Sequence, residues 1–244
     1  VVDGSILNLI SLFLKSGAMV GNELIETQEG SPQGGVISPL LANIYLDYFD
    51  QWTMSRGYRI VRYADDILIF ASSRKGAERR LKEASKVLEE EMGLVINQEK
   101  TSITSLNEGV SYLGVVIHPA YTRIQGKKLR IFKAKVKAAT RRSVPVNLTK
   151  IIKDLNPLIR GFANYFRIAN CTGVFRTLMS WIRRRLRAIQ LKQWKKPAKL
   201  HRRLRQLGYK GDFKKIKMSS WCSARSPLAS LAMPNLYFTD LGLF

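Results

Sequence analysis

Two apolar runs of strand character flank a pair of adjacent carboxylates in the first third of the chain. Tyr58, Ile60, Val61 and Tyr63 precede Asp65 and Asp66, and Ile67, Leu68, Ile69 and Phe70 follow. β-branched and aromatic residues on both sides of so short an interruption predict a β-hairpin with acid at its tip. Carboxylates are not buried unpaired, so this tip must face water, a cation or a metal carried by a substrate.

Around the hairpin the apolar period is mostly helical. Ile6, Leu7, Leu9, Ile10, Phe13 and Leu14 predict a helix that starts after Asp3, with Asp3 as its N-cap, and ends near Gly17. Residues 19–28, with Gly21-Asn22 between Met19-Val20 and Leu24-Ile25, predict a short hairpin. A glycine-rich segment, 30–35, leads to Ser38-Pro39 as N-cap and first helical residue of a helix whose apolar side is Leu40, Leu41, Ile44, Tyr45 and Tyr48. Beyond the acidic hairpin, Ala77, Leu81, Ala84, Val87 and Leu88 predict a helix stopped by Gly93, then a short strand at Leu94-Val95-Ile96. Ser111 to Ile117 is rich in strand formers and ends at His118-Pro119. Asn156-Pro157 resembles an N-cap and first-residue pair for a helix carrying Leu158, Ile159, Phe162, Tyr165, Phe166 and Ala169. A second helix sets Leu178, Trp181, Ile182, Leu186 and Ile189 against Arg183, Arg184, Arg185 and Arg187. Strands and helices that do not alternate strictly predict an α+β fold.

Charge divides this picture in two. Residues 1–120 hold 11 Lys and Arg against 15 Asp and Glu, whereas residues 121–244 hold 30 against 3. A basic stretch of this length implies a polyanionic partner, because each neutralised phosphate releases condensed counterion. Nucleic acid is favoured over a membrane surface, which calls for an amphipathic anchor or a compact basic cluster. The longest apolar run, 36–46, is broken by Ser38, Pro39 and Asn43, so no membrane span is expected. Cys171 and Cys222 do not form a metal motif and are expected as reduced thiols, and His118 and His201 stand alone. The protein is expected to be soluble and intracellular, in a bacterial cytoplasm or an organelle. The chain starts on Val1 rather than Met, as a fragment would.

The tetrad Tyr63-Ala64-Asp65-Asp66 resembles the acidic box of reverse transcriptases, and Gly30 to Leu46 is similar to the segment preceding that box in reverse transcriptases of group II introns. Leu155 to Arg167 resembles the maturase-specific thumb region of the same proteins. The resemblance implies a partial right-hand polymerase palm over 1–120 and an all-α, basic thumb or maturase domain over 121–244. It implies an RNA-directed DNA polymerase and splicing maturase, transferring nucleotides to a primer 3′ end with Mg2+ held by Asp65 and Asp66. Ser31, Pro32, Gln33, Gly34 and Tyr63 would contact template or incoming nucleotide, and Lys100 would approach its phosphates. Ser111 to Ile117 resembles the primer-grip region. Arg160, Arg167, Arg183, Arg184 and Arg187 are the expected thumb contacts to RNA. Implied partners are a group II intron RNA, an RNA template and a DNA primer.

Departures from the family pattern shape the expectation for this chain alone. The strand that carries a further metal-binding aspartate, the fingers and a zinc-binding endonuclease domain have no counterpart in these residues. The chain by itself is expected to be inactive unless a separate N-terminal fingers-palm chain completes it, since metal ligands act as a unit. The alternative is a non-enzymatic splicing factor that binds RNA through the basic thumb.

Overall fold

The computed structural model describes residues 2–15, 18–20, 23–25, 37–143, 145–211 and 227–244. It comprises two compact units, Val1–Ile103 and Thr104–Phe244, in an α+β arrangement with small antiparallel sheets. The structural division falls earlier than the change in charge near residue 121.

The first unit opens with α1, Gly4–Lys15. Asp3 caps it as its sequence position requires: the Ser5 and Ile6 amides donate to Asp3 Oδ1 at 2.8 and 3.2 Å. Most of the predicted apolar face of α1 is exposed, Ile6, Leu7, Leu9, Phe13 and Leu14 among them, and Ile10 is half-buried. β1 (Ala18–Val20) pairs antiparallel with β2 (Glu23–Ile25), Met19 opposite Leu24, which is the predicted hairpin. The glycine-rich segment 30–35 lies outside the described residues.

Helix α2 spans Ser38–Ser55. Ile37 rather than Ser38 stands at the capping position, without a side-chain bond, and Pro39 sits in the first turn. The expected apolar side is also corrected. Leu40, Ile44, Tyr45 and Tyr48 are exposed, while Leu46, Phe49 and Thr53 are buried. Both sets recur at helical spacing, so periodicity alone does not choose between them. Packing does: Leu46 and Phe49 join Ala84, Val87 and Met92 in one core, flanked by Trp52, Ile67, Ile69, Leu88 and Leu94. The two tyrosines keep their rings outside and reach back with their hydroxyls, Tyr45 to the Met92 carbonyl and Tyr48 to Glu91 Oε2 at 2.8 Å.

β3 (Ile60–Tyr63) and β4 (Asp66–Ile69) form the acidic hairpin and pair only with each other among the described residues. Helix α3, Arg74–Lys86, is capped by Ser73, whose hydroxyl accepts from the Gly76 amide at 3.1 Å. It widens into a π-helical turn at Val87–Glu91 and stops where Gly93 takes a φ of 65°. Leu94 to Ile96 is not a strand: no ladder forms there among the described residues, and Val95 is 95% exposed.

The second unit begins with a three-stranded antiparallel sheet, β5 (Val110–Tyr112), β6 (Val115–Ile117) and β7 (Thr122–Ile124). The strand-rich segment after Ser111 is therefore a hairpin, with Tyr112 opposite Val115 and Leu113-Gly114 as its turn. Both turn residues have positive φ, 45° and 83°, as a type I′ turn demands. The sheet closes over Val115, Ile124, Phe166 and Cys171. The stretch from 121 onward, expected to be all helical, thus opens on β7.

Helices α4 (Gly126–Ala139), α5 (Leu148–Phe166), α6 (Thr172–Trp194), α7 (Pro197–Gln206), α8 (Pro227–Ala232) and α9 (Asn235–Asp240) follow. Their shared core includes Phe132, Val136, Ile152, Leu155, Ile182, Leu186, Leu200 and Phe238. Helix α5 does not start at Asn156-Pro157. Asn147 is its cap, accepting from the Lys150 amide at 2.9 Å, and Pro157 lies inside the helix. Leu148, Ile151, Ile152 and Leu155 extend the buried stripe upstream of the proline, and their burial outweighs the helical bond that it forfeits. Asn156 instead ties down the chain end, donating to the Gly242 carbonyl at 2.7 Å and accepting from the Phe244 amide at 3.0 Å.

Candidate functional site

The hairpin register places the acids. Tyr63 pairs with Asp66, which leaves Ala64 and Asp65 as the two turn residues. Ala64 has a φ of 53°, in the left-handed region that residues with a Cβ seldom adopt. Opposed residues share a face, so Arg62, Ile67, Ile60 and Ile69 lie on one side and Val61, Leu68, Tyr63 and Asp66 on the other. The first face packs on the core under α2 through Ile67 and Ile69. The second is open: Val61 is 45% and Tyr63 65% exposed, and Asp65 and Asp66 are exposed at the tip.

Arg62 fixes the hairpin to α2, a role that the sequence did not single out. Its Nε donates to both Asp50 oxygens, at 2.9 and 3.1 Å, and its Nη2 also reaches Oδ2. Nη1 donates to Asn43 Oδ1 at 2.9 Å and to the Ala64 carbonyl at 3.3 Å. The arginine side chain is only 12% exposed. The Asp50 hydrogen bond raises the guanidinium pKa further, against the opposing effect of burial. A recess of about 560 Å³ runs along this side, lined by Asn43, Asp50, Met54, Tyr58, Arg59, Ile60 and Arg62. Asp65 and Asp66 are exposed and do not line that recess.

As a donor set, Asp65 and Asp66 offer hard carboxylate oxygens only. Among the described residues no cluster of three or more His, Cys, Asp or Glu forms a self-sufficient metal cage. Such a pair fits a hard divalent cation that takes its other ligands from water and substrate phosphates, as Mg2+ does.

The other sequence candidates are dispersed. Ser31, Pro32, Gln33 and Gly34 lie outside the described residues. Lys100 is exposed in a turn whose backbone bonds to Asn97. In the second unit Arg160, Arg167 and Arg184 are exposed, with Arg160 over the Phe244 ring at 5.4 Å. Arg187 is engaged internally: Nε donates to the Met233 carbonyl at 2.9 Å, and the guanidinium lies 5.3 Å from the Phe238 ring. Burial and neighbouring Arg183 lower its pKa. Arg183 is half-buried, and its Nε has no hydrogen-bond partner among the described residues.

Arg185 closes the end of α4, donating to Thr140 Oγ1 at 2.6 Å and the Thr140 carbonyl at 2.9 Å. Phe162 stacks on Phe132 at 4.0 Å in the core, while Tyr165 stays exposed and donates to the Leu113 carbonyl at 3.0 Å, fastening α5 to the β5–β6 turn. Cys171 is buried, and burial raises its thiol pKa; Cys222 lies outside the described residues. No helix among the described residues is long and apolar enough to cross a membrane.

Residues 4–117 match the family described as reverse transcriptase (RNA-dependent DNA polymerase), and residues 129–208 match the group II intron, maturase-specific domain. Protein YkfC of Escherichia coli (strain K12) is 29% identical over 46% of this chain and 38% of its own length. The group II intron-encoded protein LtrA of Lactococcus lactis subsp. cremoris is 48% identical over 19% of this chain and 8% of its own length. The retron Ec86 reverse transcriptase of Escherichia coli is 36% identical over 43% of this chain and 34% of its own length. The chain thus spans less than two-fifths of each of these relatives.

Proposed function

Because this chain belongs to the reverse transcriptase and maturase family of group II introns, we propose that it works in RNA-directed DNA synthesis and intron splicing, its acidic hairpin serving nucleotidyl transfer to a primer 3′ end. One observation carries this reading. An exposed pair of carboxylates stands on a hairpin tip within the reverse transcriptase match, and the maturase-specific match follows in the same chain.

Asp65 would be the principal ligand of Mg2+ and Asp66 the second acid. When bound, the cation supplies stabilisation of charge on the attacking and leaving oxygens of the phosphoryl transfer. Tyr63, on the open face beside Asp66, would touch the primer end or incoming nucleotide, with Ser31, Pro32, Gln33 and Gly34 as further contacts and Lys100 near the phosphates. The basic helices would hold template, primer or intron RNA by the backbone, which needs charge and shape but no base readout. A separate chain bearing fingers and a further aspartate would be the natural partner of such a unit.

Primer extension on an RNA template with Mg2+ tests this, using the chain alone and with a fingers-palm segment of a relative added. Synthesis in either case, lost by at least about a hundredfold in Asp65→Asn, supports the assignment. Synthesis that is unchanged in Asp65→Asn would refute it.

The charge separation favours a second reading, a splicing factor that binds RNA without synthesis: 30 Lys and Arg against 3 Asp and Glu lie beyond residue 120. It predicts tight, salt-sensitive RNA binding and splicing support, both indifferent to Asp65→Asn, with no extension under any condition.

A further inference from the structure

We propose that Arg62 is a positioning residue, which grips α2 through Asp50 and Asn43 and holds the Ala64 carbonyl so that the left-handed turn presents Asp65 and Asp66 to a divalent cation. This rests on the metal-binding role given to the two acids above.

A left-handed alanine is strained, because its Cβ crowds the neighbouring carbonyl, and it persists only where its surroundings over-determine it. Two four-residue strands that, among the described residues, pair only with each other supply little such constraint. The guanidinium supplies more. It is nearly buried, forked onto Asp50, bonded to Asn43, and its remaining reach goes to the carbonyl of the strained residue itself. Asp50 and Asn43 stand on one 18-residue helix, so the turn is referenced to a rigid element instead of to the hairpin alone. An ion pair serving stability only would need Asp50 but neither Asn43 nor the turn carbonyl. Lysine could keep the charge but not the fork, because its single ammonium cannot span the carboxylate, the amide and the carbonyl.

The test uses the ¹⁵N,¹³C-labelled chain and two NMR readouts. The Ala64 HN–Hα coupling and Cβ shift report its φ with no metal present. Broadening of the residue 63–67 amides during a Mn2+ titration reports cation binding at the tip. Arg62→Lys is expected to lose the left-handed signature at Ala64 and to raise the Mn2+ concentration for half-broadening about tenfold, with the amides of Ala84 and Val87 unmoved. Asn43→Ala, which leaves the ion pair intact, is expected to shift both readouts in the same direction by a smaller amount. If Ala64 stays left-handed in Arg62→Lys, or if Mn2+ broadening matches the wild type in both variants, the positioning role is overturned. Asp65→Asn separates the two ideas: broadening that survives it overturns the metal-binding role, while the Ala64 signature still judges the clamp.

Discussion

Glu83 gathers three donors on one carboxylate. The Tyr58 hydroxyl bonds to Oε2, Arg56 Nη1 lies 3.2 Å from the same oxygen, and Arg79 Nε lies 3.7 Å from Oε1. The tyrosine bond first, then the charges of Arg56 and Arg79, lower its pKa from the ordinary value of 4.5. A depressed carboxylate contributes stability that is fully present above the unfolded pKa and is lost as pH falls through the folded one. The denaturant midpoint should therefore drop as pH is lowered from neutrality through the acid range, and Glu83→Gln should both lower the neutral midpoint and flatten that fall. At this scale the acid pair was legible, because Asp65 and Asp66 interrupt two apolar runs. Arg62 was not, since its partners Asp50 and Asn43 lie 12 and 19 residues upstream and meet it only when the hairpin packs on α2.

Elements were legible where a local end signal stood beside an apolar run of helical period. Asp3 caps α1 and Gly93 ends the turn after α3, each within a few residues of the run it bounds, whereas the Ser73 cap of α3 was not singled out. They misled where two local signals competed. Asn147 and Asn156 are both plausible caps, and the proline after Asn156 strengthens the wrong one. The apolar positions from Leu148 to Leu155 decide for Asn147, because burying that turn contributes more than a proline at the first helical position would. Asn147→Ala should cost about 1 kcal/mol in chemical denaturation. Asn156→Ala should leave helix α5 intact by circular dichroism and instead release the contacts to Gly242 and Phe244.

For the whole molecule, charge predicts the partner but not which cations meet it. Arg167 and Arg184 are exposed and, among the described residues, meet no acceptor like those that occupy Arg185 and Arg187. In an RNA-binding titration over a range of salt, Arg167→Gln and Arg184→Gln should each reduce the slope of log K against log salt by about 0.7–1. Arg187→Gln should leave that slope unchanged and lower the unfolding midpoint, since it strands the Met233 carbonyl. Equal slope changes in all three would remove the distinction.

The sequence by itself determined the α+β class, the acidic hairpin, the cap of α1, the stop at Gly93 and the split between a near-neutral and a strongly basic stretch. These are properties of contiguous residues: periodicity, turn chemistry and summed charge need no distant neighbour. Tertiary structure alone decided that α2 buries Leu46 and Phe49 instead of Ile44 and Tyr48, that α5 runs through Pro157, that Leu94 to Ile96 finds no strand to pair with among the described residues, and that Arg62 is tied to Asp50. Each of these outcomes depends on a partner that packing brings near, and burial and hydrogen bonding take their energy from that partner, not from the residue's neighbours in the chain.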